Sequence, residues 1–239
     1  MTEYINSVPY SGKLEALSQF AVKEPVMRAL KNDATKTLDC AAHAAFNATP
    51  IRIAGTSSTS ITVSTAGTCT ATNSQAFNTN HAKLICDYMK EANIPAYEAD
   101  DYYAVAWPTT LRTLKNSMET LHQYTDMGLT MIMNGEIGRY ENTRYVEQTN
   151  VPKGGAADST TWNAFTNTSD AWNGGFSDWI FFFGEDTVAE GVVIQEEIRA
   201  KIPTDYGRSK GVAWYALLGY GLVQTSATEA RVVKWDSAV

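Results

Sequence analysis

The sequence predicts an α+β fold, and three observations predict it. An apolar stripe at helical spacing runs from Met27 to Ala45. Runs of aromatic and β-branched residues recur at 102–107, 178–184 and 230–235, the composition of buried strands. Helical and extended segments interleave without a regular βαβ period, which argues against a doubly wound sheet.

The first strong element is a helix from Pro25 to about Asn47. Pro25 suits a first turn, because its missing N–H has no partner to lose there. Met27, Leu30, Ala34, Leu38, Ala41 and Ala45 share one face, and Arg28, Lys31, Lys36 and Asp39 lie off it. The thin run AAHAA at 41–45 lets the helix lie close on a sheet. Residues 51–74 are rich in Thr and Ser, yet Ile51, Ile53, Ile61 and Val63 alternate, so short strands joined by exposed turns are expected. Thr79 or Asn80 caps a second helix with Leu84, Ile85, Tyr88 and Ala92 on its apolar side. YYAVAW at 102–107 is a buried strand stopped by Pro108. Thr109 or Thr110 then caps a third helix carrying Leu111, Leu114, Met118 and Leu121.

IGRYENTRYVEQT at 137–149 reads as a hairpin turning at Glu141-Asn142-Thr143. A polar loop of about 25 residues follows, a length that points to contacts or disorder, and its Trp162, Phe165 and Trp172 favour contacts. DWIFFFG at 178–184 is a buried strand. VVIQEEIRAKI at 192–202 is extended, with a break expected near Glu196-Glu197, and ARVVKW at 230–235 is a last strand.

Composition narrows the function. A chain of 239 residues has room for a full core, as one large domain or two small ones. An aromatic content of 11 % rules out whole-chain disorder. A net charge of −7 argues against non-specific polyanion binding, which needs Lys and Arg. Charged residues make up 19 %, below the roughly 25 % usual in soluble domains, and interface centres are poor in charge. That leans towards a chain packed against copies of itself. Thr-rich binding domains share the composition. The cysteines, Cys40, Cys69 and Cys86, form no CxxC pair and read as free, mostly buried thiols of a reducing compartment. The first 20 residues lack the basic start and apolar run of a signal peptide, and no apolar run reaches membrane-spanning length.

The chemistry-bearing residues form no catalytic pattern. His43, His81 and His122 stand about 40 residues apart, outside HxxxH and HExxH. Cys40 and His43 share a helix face but lack a second ligand pair nearby, so a packed face outweighs a metal site. Glu98, Asp100 and Asp101 read as a solvated loop before a strand rather than an acid–base pair. TDYGRSKG at 204–211 lacks the phosphate-loop pattern and reads as a structural turn or subunit contact. Trp179, Phe181, Phe182 and Phe183 read as a core strand rather than a cofactor pocket. No catalytic, cofactor-binding or metal-ligating residue is assigned, and no cofactor is expected.

Four segments taken in order resemble one family: NGEIGRYENTRYVEQTNVPKG (134–154), DWIFFFGEDTVAEGVV (178–193), IPTDYGRSKGVAWYALLGYGLVQ (202–224) and EARVVKWDSAV (229–239). They are similar to the major capsid proteins of tailed bacteriophages, specifically the group related to N4-like podoviruses. In that group a G-x-I-G-R hairpin precedes a V-E-(T/Q)-T strand, then an apolar strand with F-G-x-D, then a turn into G-V-x-W-x-A. An Arg-containing strand closes the chain. The matching residues are Gly135, Ile137, Gly138, Arg139, Val146, Glu147, Phe183, Gly184, Asp186, Gly211, Trp214 and Arg231. VKEPV…LKNDATKTLD at 22–39 resembles the family's long spine helix, and YAVAWP with LRTLK (103–115) its strand-to-helix step.

The resemblance implies a Hong Kong 97-type phage capsid fold. Its peripheral domain, the long spine helix plus a sheet, would take 1–52 and the returning strands 191–222. Its axial domain, a central sheet with flanking helices, would take 53–190 and a last strand at 223–239. The implied function is a non-enzymatic major capsid protein that self-assembles into pentamers and hexamers of an icosahedral head around double-stranded DNA. The implied site is the virion, after assembly in the bacterial cytoplasm. Expected partners are other copies of the chain, an N-terminal arm or extended loop from the same precursor, and scaffolding or cementing proteins. Packaged DNA would be met only non-specifically, and no membrane is expected. Only 24 residues precede Pro25, where the family carries an arm and a loop, so a truncated, processed or split version, or one lacking these parts, is expected. TEYINSVPYSGKLE resembles the loop's return strand. The alternative is a Thr/Trp-rich carbohydrate-binding or surface-adhesion module using Trp162, Trp172 and Trp179. A small hydrolase resting on Glu98 and Asp101 is a distant third.

Overall fold

The structure is a computed structural model. It describes residues 1–18, 21–67, 75–122, 138–151, 177–202, 205–206 and 208–238. The chain divides into two compact units, Met1–Ala42 with Ala189–Gly221, and His43–Val188 with Leu222–Val239.

The first unit is a three-stranded sheet with a long helix on it. Strand β1 (Thr2–Ser11) leads through a short helix α1 (Gly12–Leu17), capped by the Ser11 hydroxyl, to helix α2 (Lys23–Asn47). Pro25 sits in the first turn of α2, as its lost N–H requires. Strand order is β1-β9-β8, where β8 is Val188–Ala200 and β9 is Ser209–Leu222. β1 runs antiparallel to β9, with Tyr4 opposite Ala216 and Val8 opposite Val212. Alternation along β9 buries Val212, Trp214, Ala216 and Leu218 together with Leu30 of α2, while Ala34 and Leu38 pack at the margin. Burying a side chain of Leu size contributes about 1.5–3 kcal/mol. The stripe therefore drives the helix onto the sheet, except at Met27, which stays 42 % exposed.

β8 corrects one expectation. It runs unbroken through Glu196 and Glu197. It is an edge strand exposed along most of its length, so consecutive carboxylates stay in water and interrupt nothing. The turn after it closes through Lys201 N–H to the Gly211 carbonyl and Arg208 N–H to the Asp205 carbonyl. Of 204–211, expected as a structural turn or subunit contact, 204 and 207 lie outside the described residues.

The second unit is built on a seven-stranded mixed sheet, ordered β3-β2-β10-β7-β4-β6-β5. The strands are β2 (Ile51–Ser57), β3 (Ser60–Ser64), β4 (Tyr102–Ala106), β5 (Gly138–Tyr140), β6 (Thr143–Glu147), β7 (Ser177–Phe183) and β10 (Val232–Ala238). The first part of the Thr/Ser tract thus forms the β2–β3 hairpin, and 68–74 lie outside the described residues. Glu141 (φ 47°) and Asn142 (φ 57°) make the two-residue turn between β5 and β6, a left-handed pair that matches strand twist.

β7 lies in the middle and is apolar on both faces, because both faces are covered. Ile180 and Phe182 join Val233 and Trp235 of β10 under helix α3 (Thr79–Glu91), whose Ile85 and Met89 are buried there. Trp179 and Phe181 join Val105, Val151 and Val232 on the other face, with Phe46 at its margin. Asn78, one residue earlier than expected, caps α3 by accepting from Asn80 and His81 N–H. Helix α4 (Arg112–His122) follows β4, with Leu114 buried beside Leu111. Gly184 ends β7 where a Cβ would stand 2.0 Å from the Pro95 carbonyl oxygen. Glycine there lets Glu185 N–H reach that oxygen at 3.1 Å.

Candidate assembly surfaces

In the first unit, α2 is bolted to the sheet through Asp33. Its Oδ2 accepts from Trp214 Nε1 of β9 at 2.8 Å and from Asn6 Nδ2 of β1 at 2.9 Å. One carboxylate thereby ties three elements and satisfies the indole of a Trp that is 3 % exposed. Further along the sheet, Lys210 donates to Glu15 at 2.5 Å, and Lys23 lies 3.3 Å from the same side chain. These bonds hold the Glu15 carboxyl below its usual range, Lys210 first.

The unit offers apolar surface beside this frame. An open groove of about 520 Å³ runs along α2 and β8, its apolar lining being Met27, Leu30, Ala34, Ile198 and Trp214. Arg28, Lys31, Glu196 and Glu197 give it charge of both signs. Ile5 on β1 and Val193 on β8 are also about 60 % exposed. The outer edge of β8, unpaired among the described residues, adds a row of backbone donors and acceptors. Such a surface can make contacts.

In the second unit, the carboxylates read as a solvated loop are in part buried. Asp101 has a side chain 5 % exposed and lies 2.6 Å from Arg139 Nη2 and 3.0 Å from Arg144 Nε. Glu98 stays outside and meets Arg144 at 3.3 Å. Arg144 is pushed above its usual value, chiefly by the Asp101 hydrogen bond. Asp101 is committed to two arginines and Glu98 to one. They lock the β5–β6 hairpin to the start of β4.

The other candidates are packed rather than poised. His43 is 4 % exposed, its ring 6.1 Å from that of Phe181, and its Nε2 donates to Gln148 Oε1 at 3.2 Å. Burial pushes the Cys40 thiol up to about 11. Cys40 is half-buried and Cys86 buried, and Cys69 lies outside the described residues. His81 is buried, donates from Nε2 to the Ser57 carbonyl at 2.7 Å, and lies with its ring 4.8 Å from that of Trp235. No cluster of three or more His, Cys, Asp or Glu is placed for a metal among the described residues. No helix among them is long and apolar enough to cross a membrane.

Trp179 is 1 % exposed in the core, which removes it from the carbohydrate-binding alternative. Trp162 and Trp172, with most of the loop after Val151, lie outside the described residues, as do Gly135 and Ile137.

One group of polar residues escaped the sequence reading. Lys234 and Asp236 of β10 are both 0 % exposed. Lys234 Nζ donates to Asn47 Oδ1 at 2.7 Å, lies 3.3 Å from the Trp179 ring centroid and stands 3.5 Å from Asp236 Oδ2. Arg52 Nη1 lies 3.6 Å from the same oxygen. In sequence the pair alternates with Val233 and Trp235 and looks like the wet side of a half-buried strand.

No protein-family model and no curated protein matches the sequence. Solved structures do match it, over almost its whole length. The capsid of cyanophage P-SCSP1u is 14 % identical, with 99 % of this chain and 72 % of that one covered at a TM-score of 0.65. The head of Helicobacter pylori bacteriophage KHP40 is 12 % identical, with 100 % and 75 % covered at 0.66. The capsid of Ralstonia phage GP4 is 14 % identical, with 100 % and 73 % covered at 0.65. The fold is that of tailed-phage capsid proteins, the Hong Kong 97 type.

Proposed function

We propose that this chain is a shell subunit, a phage major capsid protein that self-assembles into pentamers and hexamers of an icosahedral head around double-stranded DNA. The observation that carries the reading is the fold likeness to phage capsids over 99–100 % of the chain. The exposed apolar residues of the first unit and the low charge content support it. The motifs of 134–154 and 202–224 support the finer placement beside the N4-like group.

In this reading the α2–β1–β9–β8 unit is the peripheral domain and the seven-stranded unit the axial domain. Copies of the chain are the principal partners. An arm or extended loop from the same precursor and scaffolding or cementing proteins are further partners. Weak contacts repeated around a closed lattice give a stable particle without any single tight site. The protein acts in the virion and catalyses no turnover. A net charge of −7 suits a container, since an acidic wall does not trap its DNA.

Sedimentation velocity over a range of concentrations tests this. A shell subunit gives fast-sedimenting ring or shell species. A monomer at every concentration, with scaffold and neighbouring chains supplied, overturns the reading.

A further inference from the structure

The connection between β8 and β9 presents two large side chains to water. Tyr206 is fully exposed and Ile202 is 84 % exposed. We propose that this tip seats in the groove along α2 and β8 of a second copy of the chain, Tyr206 and Ile202 against its apolar lining and Arg208 against Glu196. The inference rests on the shell reading and names one contact within it.

The tip is held ready to dock. Tyr206 has φ 54°, a left-handed conformation that a bulky residue seldom adopts. Asp205 fixes the turn. Its Oδ1 accepts from Ser209 N–H at 3.1 Å, and its carbonyl from Arg208 N–H at 3.2 Å. Lys201 Nζ donates to Ser209 Oγ at 2.8 Å. Lys201 and Asp205 are thus engaged within the turn, and Arg208 is its exposed cation. A turn held by its own hydrogen bonds loses little freedom on binding.

The groove suits what the tip offers. It encloses about 520 Å³, and Met27, Ile198 and Trp214 are among its apolar lining. Aromatic anchors in such pockets carry much of the energy of protein contacts. Glu196 and Glu197 line the same groove. Glu197 already meets Arg199 at 2.6 Å. Glu196 has no ion-pair partner among the described residues, and neither has Arg208. Opposite charges beside an apolar contact select the partner and set its orientation. Tyr206, being fully exposed, does not fill the groove of its own chain. Tip and groove are different surfaces of one chain, so their contact is head-to-tail, the kind that repeats from copy to copy around a ring.

The test traps the contact in assembled full-length protein. One preparation carries Tyr206→Cys and the other Met27→Cys, so a disulfide between the two positions forms only between copies. After mixing and mild oxidation, trypsin and mass spectrometry should find peptide 202–208 joined to peptide 24–28. Thr35→Cys, on α2 outside the groove lining, should give no such link to 206. In parallel, Tyr206→Asn should keep the wild-type circular dichroism and associate about tenfold more weakly in sedimentation, as expected for a central interface aromatic. If the wild type assembles but the 206–27 link is absent, or no stronger than the 206–35 link, the groove has another occupant and the proposal is overturned while the shell reading stands. Unchanged assembly of Tyr206→Asn overturns it in the same way. A wild type that stays monomeric with scaffold and neighbouring chains supplied overturns the shell reading and this contact with it.

Discussion

Trp214 Nε1 donates to Asp33 Oδ2 at 2.8 Å, and through this bond the middle strand of the first sheet is fixed to its covering helix. The bond matters because the indole is buried and has no water to fall back on. Asp33→Ala strands that N–H and also releases Asn6. The expected loss is about 1–3 kcal/mol in denaturant unfolding followed by tryptophan fluorescence. Asp33→Asn keeps an acceptor oxygen and should lose less. Equal stability of the alanine variant and the wild type would show that the contact is incidental.

Gly184→Ala tests the end of β7. The added Cβ would stand 2.0 Å from the Pro95 carbonyl oxygen, and backbone cannot swing aside as a side chain can. A loss of about 3 kcal/mol or more, or failure to fold, is expected from such an overlap. Unchanged thermal unfolding would mean that the Pro95 segment is free to retreat.

Stability should fall on mild acidification, through His81. Burial holds its pKa below the usual 6.5, against the pull of hydrogen bonds to Ser57 and Ala76. The unfolded chain therefore takes up this proton more readily than the folded one. The contribution is complete above about pH 6.5 and is lost as pH drops from there towards the lower folded value. Urea midpoints measured from pH 7.5 downwards should decline, and His81→Gln should flatten the first part of that decline. A flat wild-type profile between pH 7.5 and 5.5 would exclude the mechanism.

Charge on the exposed edge should stop association without harming the fold. Ile198 and Val193 stand 53 % and 59 % exposed on β8. Ile198→Glu and Val193→Glu should leave circular dichroism and melting close to wild type, because surface changes usually cost within about 0.5 kcal/mol. The same variants should shift sedimentation to small species. Normal assembly of both would move the contact surface elsewhere.

Much of this fold was legible in sequence, and particular residues show why. DWIFFF reads as a buried strand because apolar residues fill both alternating faces, as they do in a strand covered on both sides. Leu30, Ala34 and Leu38 marked the buried face of α2 by spacing alone. Glu196-Glu197 misled, since charge was read as a break where an edge strand simply faces water. Lys234 and Asp236 were hidden for the opposite reason. Local alternation cannot reveal that Trp179 of the neighbouring strand β7 and Asn47 at the end of α2 cover the polar side chains of β10. Asp101 likewise needed Arg139 and Arg144, about 40 residues on, before it became a buried ion pair.

Electron microscopy of the fastest-sedimenting fraction addresses the shell reading most directly. Rings or closed particles with five-fold and six-fold vertices are the predicted result. A field of single small particles, from protein that is folded and supplied with its scaffold, would contradict it.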